Sequence, residues 1–327
     1  MGCVPSHIIQ KTMTETTSYK PKRLHPIANL LHKFIDRERW LAWALILPAL
    51  ITVFGLIIVP ILRAFWMSLH IIDLKRPAIG TPFVGLGNYI DILYDGYFWA
   101  AVGRTFYFMI LSITIEMVLG IAIAVLLNTP FKGRTILRTL VLIPWALPIT
   151  IDAIMWKWIF NPNYGAWNSL LLQLGIISSY RAWLSDPLSA MHVVILADVW
   201  KVTPLVILLS LAALQTIPHD LYEAAVIDGA NRMRSFWHIT LPLLAPTLMI
   251  VLLVRTMDAF KVFDIIYIMT AGGPSDGTKV IAYYTYVNAF SYLRLGHGAA
   301  LAYLMTVFIA IMVFIYIKLL KKREIEY

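Results

Sequence analysis

Charge is scarce in this chain of 327 residues. Asp, Glu, Lys and Arg make up 14% of it, against about a quarter of a soluble domain. So thin a polar coat excludes an ordinary water-soluble globule. Cysteine is scarcer still. Cys3 alone cannot build an intramolecular disulfide framework, and the Met-Gly-Cys-Val-Pro-Ser stretch around it matches a myristoylation pattern that we read as coincidence. No apolar core followed by a small-residue cleavage site precedes residue 40, so no cleavable signal peptide is expected. The eight histidines are scattered, and none forms a His-Glu-x-x-His pair. Gly272-Gly273-Pro274-Ser275-Asp276-Gly277-Thr278-Lys279 imitates a phosphate loop, but Thr precedes Lys where the order Gly-Lys-Ser/Thr is required. It is not an ATP site. No set of catalytic groups converges, so neither an enzyme nor a bound cofactor or metal is expected.

Long apolar runs are what the chain has in their place. It is 60% hydrophobic, with a mean hydropathy of +0.75. A run of about 20 apolar residues crosses about 30 Å of hydrocarbon at 1.5 Å per residue. Six runs qualify, at roughly 41–69, 103–127, 136–159, 190–215, 241–270 and 297–319. The expected fold is an all-α membrane protein of six transmembrane helices, with residues 1–39 a basic tail and 40–327 one membrane domain. Within the tail, Ile27, Leu30, Leu31, Phe34 and Ile35 recur at helical spacing, the pattern of an interfacial amphipathic helix. The net charge of +9 raises nucleic acid as a partner, but the basic residues flank alternate spans instead. Sixteen Lys and Arg fall on the side of both termini and five on the other, which predicts cytoplasmic termini and a membrane-embedded, multi-pass chain without nucleic-acid partners.

The same count places the polar island 216–242, between the fourth and fifth spans, in the cytosol. Pro218 is tolerated in the first turn of a short helix. Glu223, Ala224 and Ala225 continue it, the alanines keeping one face low. Gly229 suits a left-handed helix end after Asp228, and Leu241-Pro242 starts the next span. Glu-Ala-Ala, Asp-Gly-Ala and Ile-x-Leu-Pro at these spacings resemble the EAA loop by which binding-protein-dependent ABC importer permeases engage their ATPase. Phe83-Val84-Gly85-Leu86-Gly87-Asn88-Tyr89 and Thr270-Ala271-Gly272-Gly273-Pro274 resemble the carbohydrate branch of that family, the maltose, trehalose and glycerol-phosphate type.

The resemblance implies a type I (MetI-like) importer fold and a permease in a bacterial inner membrane carrying a sugar, of di- or oligosaccharide size. It implies four partners: a second permease in a heterodimer, an ABC ATPase dimer that binds ATP and Mg, an extracytoplasmic solute-binding protein, and membrane lipid. By resemblance Glu223 makes a polar contact in a cleft of the ATPase and Gly229 permits the bend. Arg104 departs from the family, where many relatives carry Asn, and the large inserted domain of some maltose-type subunits is missing.

Charges inside spans must face protein or water, since each costs on the order of 3 kcal/mol at mid-bilayer. Arg255, Asp258, Lys261 and Asp264 recur every three residues and are expected to pair along one helix. They line a path or hold a partner. Asp198 and Lys201 are expected to neutralise each other, beside the further buried carboxylates Glu116 and Asp152. Trp156, Trp158, Trp167 and Trp183 are expected in an interfacial belt. Candidates for the substrate path are Trp200, Asp258, Lys261, Phe263, Asp264, Tyr267 and Asn288. The competing reading is a secondary transporter driven by an ion gradient through those carboxylates, which predicts internal repeats.

Overall fold

The computed structural model describes residues 38–324. The expected tail helix and Cys3 lie outside the described residues. The chain divides into two units at Leu62 and Arg63. In the first unit the described residues are helical, leading into α1 (Leu41–Ser68), and most side chains from Leu41 to Leu62, Leu45, Ile51 and Leu56 among them, are exposed. A helix apolar all round has no face of its own to bury.

The second unit holds the core. After a short helix α2 (Gly87–Tyr94) comes α3 (Gly96–Asn128), whose first turn is capped by Asp95 accepting from the Tyr97 N–H at 2.9 Å. The cap satisfies one of the four N–H groups that a helix start leaves open. The same device opens α7 (Pro187–Leu214), where Asp186 accepts from the Ser189 N–H at 2.8 Å and Pro187 takes the first position. These two helices form the centre. At Gly120 a Cβ would stand 2.5 Å from Val206 Cγ1, so only glycine allows this crossing. Phe98, Phe108, Val194, Phe260, Ile265, Ile281 and Leu301 fill the core around them.

Five helices among the described residues are long and apolar enough to cross a membrane, and a bent pair makes a sixth when counted as one span. The third span is thus not the single helix expected over 136–159. It is α4 (Arg134–Ala146) and α5 (Ile149–Ile159), bent by 95°. Pro148 has no N–H to give and forces Leu147 into extended backbone, so the helix must stop there. The helix α6 (Ala166–Gln173) follows α5 and leads towards α7.

The fifth span also differs. It begins at Arg232, not Leu241, and α9 (Arg232–Phe260) ends ten residues short of the expected 270. A π turn at Phe236–Thr240 lets the helix run into Pro242, since Leu241 N–H bonds back to the Phe236 carbonyl. Beyond Phe260 the chain breaks and restarts as α10 (Asp264–Met269), then α11 (Ile281–Tyr286), before α12 (Leu295–Glu324).

Candidate coupling loop and transport path

Between α7 and α9 stands α8 (Asp220–Ile227), with no buried residue. Asp220 and Glu223 lie in its first turn, where carboxylates oppose the positive end of the helix dipole. Its end is a Schellman motif: Ala230 N–H bonds to the Ala225 carbonyl at 2.8 Å and Gly229 N–H to the Val226 carbonyl at 3.0 Å, with Gly229 at φ +78°. Asn231 then caps α9, accepting from the Arg234 N–H at 2.9 Å. Asp228 makes no ion pair with Arg232 among the described residues, and Glu223, 68% exposed at its side chain, meets His219 at 3.1 Å. Ala224, Val226 and Ile227 are exposed, Ala225 half-buried. Leu241 is half-buried and Pro242 exposed, two turns inside the fifth span.

One contact here had no sequence signal. The Tyr222 hydroxyl sits 3.0 Å from Thr240 Oγ1, tying α8 to the π turn of α9. The loop is thus braced to a span through side chains, in addition to its chain ends.

A second constellation joins three spans. The Arg255 guanidinium of α9 donates to both Glu116 oxygens of α3, at 2.7 and 2.8 Å, and to Asp198 of α7 at 3.1 Å. All three are buried. Two expectations are corrected by this. Arg255 does not pair with Asp258 along its own helix, because Glu116 offers a bidentate acceptor inside the bundle. Asp198 does not pair with Lys201. Lys201 donates instead to the Leu147 carbonyl at 2.5 Å, a group left open by the break in the third span, and at 3.4 Å to the Pro144 carbonyl, which also accepts the Leu147 N–H. Of the expected ladder one rung stands: Lys261 pairs with Asp258 at 3.0 Å, both about half exposed. Helix α9 has ended by Lys261, and Asp264 opens α10 with no ion-pair partner among the described residues.

Aromatic side chains gather where the chain breaks after α9. Phe263 stacks on Tyr267 at 5.4 Å between ring centroids and meets Tyr286 at 5.0 Å. Tyr283 and Phe290 extend the wall, at 6.2 and 5.3 Å from Tyr286. Tyr267 is 47% exposed, so the wall opens outward from the chain. Tyr283, Tyr286 and Phe290 recur at helical spacing, the signal in the sequence that could have found it. The loop before it supports it: Thr270 and Thr278 share a hydroxyl contact at 2.7 Å, and a Cβ on Gly272, at φ +77°, would meet the Tyr283 ring at 2.6 Å. Two candidates stand apart. Asn288 is buried, its amide donating to the Tyr284 carbonyl at 2.9 Å. Trp200 meets Trp156 edge-on at 5.8 Å, and Trp156 packs half-buried against the core.

The Phe83–Tyr89 motif is structural. Asn88 donates to the Ser68 and His70 carbonyls at 2.8 and 3.0 Å, and the Tyr89 hydroxyl lies 2.7 Å from Ser68 Oγ, closing the end of α1.

Comparison with known proteins bears on the whole arrangement. Residues 116–325 match the family model described as binding-protein-dependent transport system inner membrane component. The trehalose/maltose transport system permease protein MalF of Thermococcus litoralis is 44% identical over 89% of this chain and 97% of its own length. The trehalose transport system permease protein SugA of Mycobacterium tuberculosis is 37% identical over 86% of this chain and 89% of its own. A solved chain from a bacterial ABC transporter involved in the import of the acidic polysaccharide alginate superposes with a TM-score of 0.77 at 24% identity, covering 90% of this chain and 99% of that one. The fold is that of an ABC importer permease, and the chain belongs to the family of binding-protein-dependent transport system inner membrane components.

Proposed function

We propose that this chain is the permease subunit of an ATP-driven importer for a sugar of di- or oligosaccharide size. The sugar class rests on the relatives named for trehalose and maltose. The observation that carries the mechanism is α8: a solvent-exposed helix with a glycine stop, braced through Tyr222 and Thr240 to the fifth span. An ATPase that grips α8 around Glu223, Ala224 and Ala225 moves α9 with it. Nucleotide and Mg belong to that ATPase, and this chain supplies the lever. A second permease completes the path, and a binding protein delivers substrate from outside.

The aromatic wall is the best candidate for substrate contact. A pyranose presents apolar C–H edges that lie well on rings such as Phe263 and Tyr286, while its hydroxyls seek hydrogen bonds from groups like the tyrosine hydroxyls. The Asp258–Lys261 pair lies just before the wall in sequence.

The test is made on the reconstituted importer and on intact cells. Glu223→Lys should abolish uptake while the subunit still inserts. A cysteine at Asp228 should react with a membrane-impermeant thiol reagent only after the cytosolic face is opened. Labelling of that cysteine from outside intact cells would place the loop away from any ATPase and refute the reading. Uptake that survives ATP depletion would return the ion-gradient transporter to first place.

A further inference from the structure

A cleft of about 370 Å³ opens at the start of α7, the end of that helix remote from the coupling loop. Neither that loop nor the aromatic wall lines it. Three aromatic rings do, Phe160, Trp167 and Trp183, together with three polar side chains, Asp186, Ser189 and His192. A few polar groups among aromatic and apolar walls is the make-up of small-molecule sites, whose volumes run from about 300 to 1,000 Å³.

The rings are held in place by the chain itself. Asn168, fully buried, accepts the Trp183 indole N–H at 2.8 Å and the Arg181 N–H at 3.2 Å, and its amide donates to the Arg181 carbonyl at 2.9 Å. Phe160 packs between the two indoles, its centroid 5.6 Å from Trp167 and 6.4 Å from Trp183. Of the polar groups, one Asp186 oxygen caps α7, and the other has no partner among the described residues. His192 is fixed by the Tyr107 hydroxyl, 2.6 Å from its Nε2. Two features tie the cleft to the candidate path. Ser189, His192, Leu196 and Trp200 share one face of α7, with Trp200 about 16 Å further along the axis than Ser189. Rings join the same two places: Trp200 meets Trp156, and Trp156 stacks on Phe160 at 5.9 Å.

We propose that this cleft is a second saccharide subsite, at the entry to the path and separate from the aromatic wall. A pyranose lays its C–H edge on Trp167 and Trp183, and its hydroxyls donate to the open Asp186 oxygen and exchange hydrogen bonds with Ser189. Aromatic rings beside one carboxylate also suit a quaternary ammonium. Ser189 and His192 decide for the sugar, because they offer hydrogen bonds that such a cation cannot use. The subsite rests on the reading of the cargo as a sugar.

The importer complex in nanodiscs, without its binding protein, is irradiated with diazirine derivatives of maltose and of trehalose, and labelled peptides are mapped by mass spectrometry. Label should appear within residues 160–196 and fall when the matching unlabelled sugar is added in excess. At sub-saturating probe, Trp183→Ala should lower it roughly fivefold, the ratio for about one lost aromatic contact. Ser189→Trp fills the cleft while keeping its three rings and should lower the label as far. That variant decides the matter if Trp183→Ala fails to assemble. Label that neither excess sugar nor Ser189→Trp reduces overturns the site, and displacement by choline but not by sugar overturns its assignment to a saccharide. Uptake of the two unmodified sugars, measured with binding protein and ATP, separates the failures. Uptake without competed label removes the subsite alone. If neither sugar is taken up or labels the cleft, the sugar reading falls and the subsite falls with it.

Discussion

At the scale of single residues, Arg255 governs the most. Its guanidinium is the partner of two buried carboxylates on two other spans. Removing it leaves Glu116 and Asp198 desolvated without a cation, and breaking such a buried pair costs about 3–5 kcal/mol. Arg255→Ala should therefore lower the thermal transition of the purified subunit by many degrees. Arg255→Lys should recover only part of the loss, because a single ammonium cannot reproduce the bidentate geometry at Glu116. An unchanged transition in Arg255→Ala would show that the cluster adds nothing to the bundle.

Asp73 gives a pH dependence. The Arg76 side chain, at 2.8 Å, holds its carboxyl below the ordinary carboxylate range, helped by the Lys75 N–H at 2.9 Å. A depressed folded value means that the ionised form stabilises the fold. That stabilisation is present above the unfolded carboxylate value of about 4 and is lost as pH falls below it. Amide protection in residues 71–76, measured against the intrinsic exchange rate at each pH, should fall on acidification through that range in the wild type. In Asp73→Asn that fall should vanish. A profile identical in both proteins would exclude Asp73 as its source.

At the scale of elements, α8 is fixed to the fifth span in two ways, by its chain connection at the Schellman turn and by the Tyr222–Thr240 contact. Tyr222→Phe removes the second while leaving the helix and its exposed face intact. The expected result is an importer whose ATPase is still stimulated but whose uptake per ATP falls severalfold, since a net hydrogen bond is worth about 1 kcal/mol. An unaltered ratio of uptake to hydrolysis would demote the brace to packing.

This element was the most legible in the sequence, because its signals are local. A glycine stop, a polar cap and a proline within a few residues of one another report on backbone they themselves shape. The break in the third span was written equally plainly in Pro144 and Pro148, but hydrophobic length alone masks it, since two half-helices sum to the length of one span. The cap on that break was not legible. Lys201 lies 54 residues from Leu147, and an intrahelical partner at Asp198 is the nearer guess. The same holds for Arg255 and Glu116, 139 residues apart: sequence spacing reports neighbours along a helix, whereas bundles pair across helices.

At the scale of the whole molecule, the number and order of spans follow from apolar length, and the fold is shared with a solved importer chain at a TM-score of 0.77. Sequence periodicity says much less about where a path runs. The aromatic wall is assembled from α10, α11 and the π turn that follows, none of which is long enough to register as a span. Those short pieces are positioned by the Thr270–Thr278 loop and the tight seat of Gly272 on Tyr283.

Gly120 sets how closely the two central helices stack: a Cβ there would lie 2.5 and 2.6 Å from Val206 Cγ1 and Cβ, so any larger residue wedges α3 away from α7 and loosens the seam on which the rest of the core is built.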